Sequence, residues 1–488
     1  MQSQTNISEE QFHKIWQEQD FTAELKTLAG DDVEVISPGE YNSDESGPDF
    51  KHARIKLGNL TFVGDVEIDQ DYSDWKKHGH NINRNYNKLI LHISYTNPQK
   101  QNYIYTSDGR KVPSIAINKY ISADNLETIK KPTSKKFINK NLNLKCSHEI
   151  HLVDYQVRNK TVLQFGLKRF ENKCKKVFNR LKELKFINDL ELNEPVIRYE
   201  LTKEFDEKIF EKEDFKDKDI WKQLLYEFIF EALGYSKNKR MMQKLAQSVN
   251  LKFLNTIEFT ENYKTKVEAI LFSIAGLLPE LNDDDKYLII LTDEWNKEKV
   301  NYDGKFFDET QWHFLGQRPQ NFPTIRIVGG AILIESILHH NLAGQIIKKF
   351  SEINNPKVLI NSIRSLFILK ATGYWQEHYV FNKKSKVKLN YLLGLSRADE
   401  IMINVILPYL SVYFELFGNQ KLSKKVLQIY NEYDQKSDNK ITKDVSKGLQ
   451  VEGLEKKTIY AQGMIELYRN YCSKNRCLEC EIGKTVFT

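Results

Sequence analysis

Cysteine is scarce in this chain, with five residues in 488. The N-terminus, MQSQTNISEEQFHKIW, has neither a basic n-region nor an apolar h-region, so no secretory signal peptide is expected. The two absences together point to a reducing cytoplasm, where structural disulfides do not persist. Long apolar runs are also lacking. The longest, such as AILFSIAGLL at 269–278, fall well short of a membrane span, so no membrane association is expected. No internal repeat of fixed period is present. What is present is the composition of a soluble globular protein, 40% apolar and 28% charged, at a length sufficient for two to four domains.

The net charge of +6 is unevenly distributed. Residues 1–100 hold 10 Lys/Arg against 17 Asp/Glu, a net of −7, and residues 101–190 hold 19 against 8, a net of +11. An acidic, metal-binding face beside a basic surface is what a nucleic-acid enzyme needs. A lysine-rich chain with solvated helix faces would produce the same asymmetry.

SEEQFHKIWQEQDF (8–21) puts Phe12, Ile15 and Trp16 on one side of an amphipathic helix. VEVI (33–36) is a short strand, and ARIKL and LTFVGDVEID alternate around Gly58-Asn59, the pattern of a tight hairpin. SDWKKHGHNINRNY (73–86) reads as polar and irregular. LILHISYT (89–96) reads as a buried strand and YIYTSDGRKVPSIAI (103–117) as another hairpin. These predict an α+β domain, a mixed sheet with flanking helices, over residues 1–122. A basic linker over 123–152 follows, and then a large, mostly helical region over 153–488 ending in a cysteine cluster. Leu163, Leu167, Phe170, Cys174, Val177, Leu181 and Leu184 keep helical spacing along one stripe at the start of that region.

The chemistry-bearing residues fall in two groups. Asp49, in the Pro48-Asp49 pair, precedes one hairpin strand, and Glu67 and Asp69 lie on the next, two residues apart and so on one face. Carboxylates so placed can hold Mg²⁺ or Mn²⁺, which takes oxygen ligands and activates water for phosphodiester hydrolysis. The ordinary alternative is a turn residue at Asp49 and a solvated strand face at Glu67 and Asp69. Downstream, His78 and His80 can act as base or transition-state donor, or ligate the metal themselves. His92, in an apolar strand, reads as a core histidine.

The second group is Cys472, Cys477 and Cys480, spaced C-x4-C-x2-C, with Cys146 as fourth ligand and His148 in reserve. Four such ligands suit tetrahedral zinc or, with four thiolates, a [4Fe–4S] cluster. Cys174 belongs to the apolar stripe. Arg318 and Arg326, in RPQNFPTIRI, suit an anion, while Asn321-Phe322-Pro323 suits a helix start. Tyr374, Trp375 and Tyr379 beside KKSKVK (383–388) suit either a base-stacking surface or an aromatic core.

The acid pair resembles the motif of PD-(D/E)XK nucleases, except that the lysine expected two residues after the second acid is here Asp69. Across nearly its whole length the chain resembles a bacterial family of unassigned function, domain-of-unknown-function family 2851. The resemblance is carried by GPDFKHARIKLGNLTFVGDVEI, SDWKKHGHNINRNYNKLILHISY, RPQNFPTIRI, INVILPYL and CSKNRCLECEIG. It implies an N-terminal α+β domain, a helical remainder, and a site drawn from Asp49, Glu67, Asp74, His78 and His80. Where the chain has Asp69 and Asn83, that family usually has histidine and aspartate. Two functions follow as expectations: a metal-dependent nuclease acting on DNA or RNA gripped by segment 128–185, or an inactive nuclease-like scaffold that binds nucleic acid or protein partners.

Overall fold

The computed structural model describes residues 9–19, 21–42, 47–77, 80–121, 144–190, 205, 207–280, 285–314, 317–434 and 439–487. His78 and residues 123–143 of the expected linker lie outside them. The chain divides into two compact units, Met1–Asn139 with His313–Gln317, and Lys140–Trp312 with Arg318–Thr488.

The first unit is a mixed sheet with flanking helices. Its strands are β1 (Leu25–Lys26), β2 (Asp32–Ser37), β3 (Glu40–Tyr41), β4 (Phe50–Leu57), β5 (Leu60–Asp71), β6 (Leu89–Thr96), β7 (Tyr103–Tyr105) and β8 (Lys111–Ala116). The order is β1-β2-β4-β5-β6-β8-β7, with β3 also pairing β4. β5 pairs with β6, and β6 with β8, in parallel; the other pairs are antiparallel.

Strand alternation, with a register shift that separates Leu89 from Leu91 in β6, gives this sheet two different faces. Val66, Ile68, Leu91, Ile93 and Ile115 share a core with Phe12, Ile15 and Trp16 of the helix Glu9–Glu18. Trp75, Tyr86, Leu89, Ile104 and Val112 form a smaller cluster. Trp75 and Tyr86 come from the segment read as irregular, which is a short helix, Asp74–Lys77, and two 3-10 turns, His80–Ile82 and Arg84–Tyr86. Its two buried aromatics are what anchor a stretch otherwise rich in polar residues.

β4 contains a bulge. Phe50 lies opposite Val66 and Ala53 opposite Gly64, so two residues of β4 face the single Asp65 of β5. His52 takes φ 58° there, and its amide donates to Asp65 Oδ1 at 3.3 Å. Such an insertion bends a strand and re-aims the residues before it, here Asp49. At Gly64 a Cβ would run into Ile90 and the Lys88 carbonyl, so only glycine lets β5 and β6 approach.

The second unit is largely α-helical. The helix Tyr155–Asp189, capped by the Asp154 side chain, packs along the helix Thr458–Asn470. The expected stripe holds from Phe170 to Leu184, but Leu167 is exposed and Val162 and Gly166 are buried. The cause is close helix contact: a Cβ at Gly166 would strike the Ile459 carbonyl, and one at Gly463 the Val162 carbonyl. Arg158 donates to Leu449 O, Lys168 to the Tyr471 hydroxyl and Tyr460 to Asn159. Pro323 opens the helix Pro323–Leu338, as RPQNFP suggests. Arg326 is buried and donates to Leu392 O, the Tyr235 hydroxyl and Asn321, so it serves the fold. Trp375 is likewise core, stacked on Phe272.

Among the described residues no single helix is long and apolar enough to cross a membrane. The helices Pro323–Leu338 and Leu342–Glu352 reach that measure only together, across a 73° bend.

Candidate metal centre

Three of the expected residues, Glu67, Asp69 and His80, offer ligand atoms that all lie within 4.8 Å of one another. Glu67 and Asp69 share a face of β5 because they are two apart, and the parallel register sets His92 beside Glu67 and Ser94 beside Asp69. His80 arrives from its 3-10 turn, held by stacking on Tyr86 at 4.4 Å and by the edge of Trp75 at 5.4 Å. The face is not the solvated surface a half-buried strand would offer. Glu67 and Asp69 are both buried, because the Trp75 segment covers them.

Each acid has an imidazole partner. Asp49 Oδ2 lies 3.2 Å from His13 Nε2, Glu67 Oε1 lies 3.1 Å from His80 Nδ1, and Asp69 Oδ2 lies 3.1 Å from His92 Nε2. Backbone amides complete the set: Asp49 N donates to Glu67 Oε2 at 3.0 Å, and Ile68 N donates to Asp49 Oδ2 at 2.9 Å. His92 is fixed from behind by the Ser114 hydroxyl at 2.9 Å from Nδ1. It is thus both the core histidine expected and a neighbour of the acids.

Burial deepens along the row. Side-chain exposure falls from 17% at Asp49 to 5% at Glu67 and 2% at Asp69, so a ligand enters from the Asp49 and His80 end. Ser94, fully buried beside Asp69, has a hydroxyl with no hydrogen-bond partner among the described residues. An orphaned polar atom next to two carboxylates and an imidazole is consistent with a hydrated cation. The donor chemistry, two carboxylates and one imidazole, fits a divalent ion.

Asp49, expected as a primary ligand, stands outside the close group; its carboxylate is taken up by Ile68 N and His13. Asp74 accepts from Asp71 N at 3.0 Å, a local turn bond. His13 was missed because the helix pattern leaves it among the polar residues off the apolar side, and its partner Asp49 is brought to it by pairing between distant segments. Nothing in the spacing of His92 gives the parallel register that sets it beside Glu67, within reach of Asp69.

The cysteines lie in the second unit. Cys146 occupies the 3-10 turn Lys145–His148, Cys472 the turn Cys472–Lys474 and Cys477 the turn Cys477–Glu479. Cys480 is buried in an apolar cluster against which Cys146 and Cys472 pack. Burial, then the neighbouring Cys480, pushes the Cys146 thiol up to about 11. Burial, then Cys146, Cys480 and Cys477, pushes Cys472 to about 12. Amides of Gly483 and Ile482 point to the Cys480 sulfur. All five cysteines are free, and the four do not reach the mutual closeness of the Glu67 group. Cys174 stands apart from them on the 155–189 helix, and His148 is exposed.

In the described part of segment 128–185 several cations are committed internally. Arg180 binds Glu227 through Nε at 2.7 Å and Nη2 at 3.0 Å, Arg169 binds Glu466 at 3.1 Å, and Lys176 binds Glu231.

No curated protein and no solved structure matches the chain significantly. A family model does, over residues 9–205 and 201–440, and its description is protein of unknown function, DUF2851. That span is most of the sequence, and it takes in both the acid–histidine row and much of the helical unit. The chain belongs to the DUF2851 family.

Proposed function

We propose that the first unit is a PD-(D/E)XK-like, metal-dependent phosphodiesterase acting on DNA or RNA. The observation that carries this reading is the convergence of Glu67, Asp69 and His80 to within 4.8 Å on a mixed sheet. A divalent ion held there would polarise a phosphate and supply hydroxide near neutral pH. Two carboxylates with an imidazole suit Mn²⁺ better than Mg²⁺. The protein's own part is positional. Asp49 fixes the Glu67 strand through the two backbone bonds, Tyr86 and Trp75 orient His80, and His13 stands at the open end beside Asp49 as base or donor.

The competing reading is a nuclease-like scaffold without catalysis that binds nucleic acid or protein partners. It is favoured by Asp69, which stands in the position of the nuclease lysine and pairs with His92. The test is cleavage of labelled single- and double-stranded DNA and RNA with Mg²⁺ or Mn²⁺, beside Glu67→Gln. Metal-dependent cleavage lost in the variant supports the enzyme. Intact binding of oligonucleotide with no cleavage supports the scaffold.

We also propose that Cys146, Cys472, Cys477 and Cys480 hold zinc or a [4Fe–4S] cluster. Support comes from the apolar corner shared by Cys146, Cys472 and Cys480, and from amides that stabilise a sulfur ligand at Cys480. Metal analysis of protein purified without oxygen distinguishes the two ions. Cys146→Ser should lower the metal content, and an unchanged stoichiometry would remove Cys146 from the set.

A further inference from the structure

The second unit holds a cleft of about 650 Å³ that the metal site does not account for. Its walls come from the helices Tyr155–Asp189, Lys218–Leu233, Leu395–Ile401 and Thr458–Asn470. Among the described residues, seven cations line it against three acids, Glu231, Glu400 and Glu466. The acids do not neutralise the cations evenly. Glu231 takes both Lys176 and Lys239, and Glu466 takes Arg169. Lys173, Arg397, Lys440 and Arg469 have no carboxylate within ion-pair distance among the described residues.

Two of these four are built into the fold. Lys173 donates to the side-chain oxygens of Asn404 at 2.6 Å and Gln462 at 2.7 Å, neutral acceptors that orient an ammonium without cancelling it. Arg397 is 7% exposed, donates from Nη1 to Ala232 O at 2.9 Å and lies 3.1 Å over the Tyr235 ring. Asn404 is itself placed by an irregularity. Residues Met402–Ile406 form a π-helical turn, next to Pro408, which has no N–H to give the Asn404 carbonyl. Such turns gather at functional sites. Glu400 acts on Lys173, Arg397 and Arg469 only from beyond ion-pair distance, so one carboxylate stands against these cations, and positive charge is left in excess in a cavity of ligand size.

We propose that this cleft binds a small phosphate-bearing anion of two or more negative charges, up to the size of a nucleoside diphosphate. The cations converge on one cavity, where a small molecule fits, instead of tracking along a groove as a strand's phosphates require. Lys173 and Arg397 hold the phosphate from the protein side, and Arg469 and Lys440, both exposed, close on it from the mouth.

The test is calorimetric titration of the full chain at low salt with sodium pyrophosphate, with ADP and with a 5′-phosphorylated oligonucleotide. One-to-one binding of pyrophosphate or ADP is expected. It should weaken roughly tenfold in Lys173→Met, the loss of one charge-assisted hydrogen bond, and several-fold in Arg469→Ala. Arg469 is at the surface, so its variant serves if Lys173→Met fails to fold. Absence of binding by pyrophosphate and ADP overturns the proposal, as does binding that neither variant weakens. An oligonucleotide that binds where both small probes fail overturns the ligand class.

Discussion

His92 Nε2 lies 3.1 Å from Asp69 Oδ2, with both residues buried and with Ser114 holding the far side of the ring. Removing one member of such a pair strands the other in a poor solvent. His92→Ala should therefore destabilise the first unit by about 3 kcal/mol, while Asp69→Asn with His92→Ala should recover part of that loss. Chemical denaturation of His92→Ala, Asp69→Asn and the double variant reads the coupling. Equal losses in the single and double variants would refute it.

The same row predicts a metal effect on stability. An ion bound only by the folded state adds about 2.7 kcal/mol at a hundredfold excess over its dissociation constant. Mn²⁺ should raise the melting temperature of the wild type, and Glu67→Gln should remove most of the rise. Thermal melts with Mn²⁺ and with a chelator measure it.

Anion binding in the second unit should weaken as pH rises. Burial, then the charges of Arg169 and Lys239, holds the Lys173 ammonium well below the ordinary lysine value, against the opposing pull of Glu400 and the nearby Cys174. Lys176, Arg397, Lys440 and Arg469, with Glu231 and Glu466, are the other charges facing it. The anion prefers the protonated amine, so binding takes up a proton and is lost as pH climbs through the free protein's lowered pKa. Titrations over a series of pH values, flattened in Lys173→Met, would check this.

Glu268 gives a stability prediction of defined sign. Burial raises its carboxyl pKa above the ordinary 4.5, although Lys264 lies 3.2 Å away and the Tyr287 hydroxyl and Trp375 indole donate to it. A raised folded pKa means stability present in full below 4.5 and lost as pH rises through the folded value. Glu268→Gln, which cannot ionise, should compare more favourably with the wild type at pH 7 than at pH 4. Urea midpoints at the two values decide the matter.

Where the first and last long helices of the second unit cross, Gly463 leaves no room for a side chain against the Val162 carbonyl. Gly463→Ala should cost about 1–3 kcal/mol, since an overpacked backbone contact cannot repack as a side chain can. A lowered urea midpoint is the expected result, and an unchanged one would place the helices further apart.

Local pattern carried a good deal of this protein. The alternation around Gly58-Asn59, the apolar run of β6 and the 3.6-residue spacing from Phe170 to Leu184 each depend on neighbours in sequence, and each is seen. Glu67 and Asp69 were legible as one-face acids for the same reason. The spacing of Cys472, Cys477 and Cys480 was legible too, as was a helix beginning at Pro323.

What the chain could not display locally is everything set by pairing between distant segments. The parallel register of β5 and β6 sets His92 opposite Glu67, from where its ring reaches Asp69, and the bulge at His52 carries Asp49 to His13. The Trp75 turn lowers His80 onto Glu67 and buries a face that alternation alone would leave in water. The cationic cleft is assembled from helices more than two hundred residues apart. In each case the sequence supplies the side chains and their faces. Which faces meet is decided by packing, because contact energy belongs to surfaces brought together and not to positions along the chain.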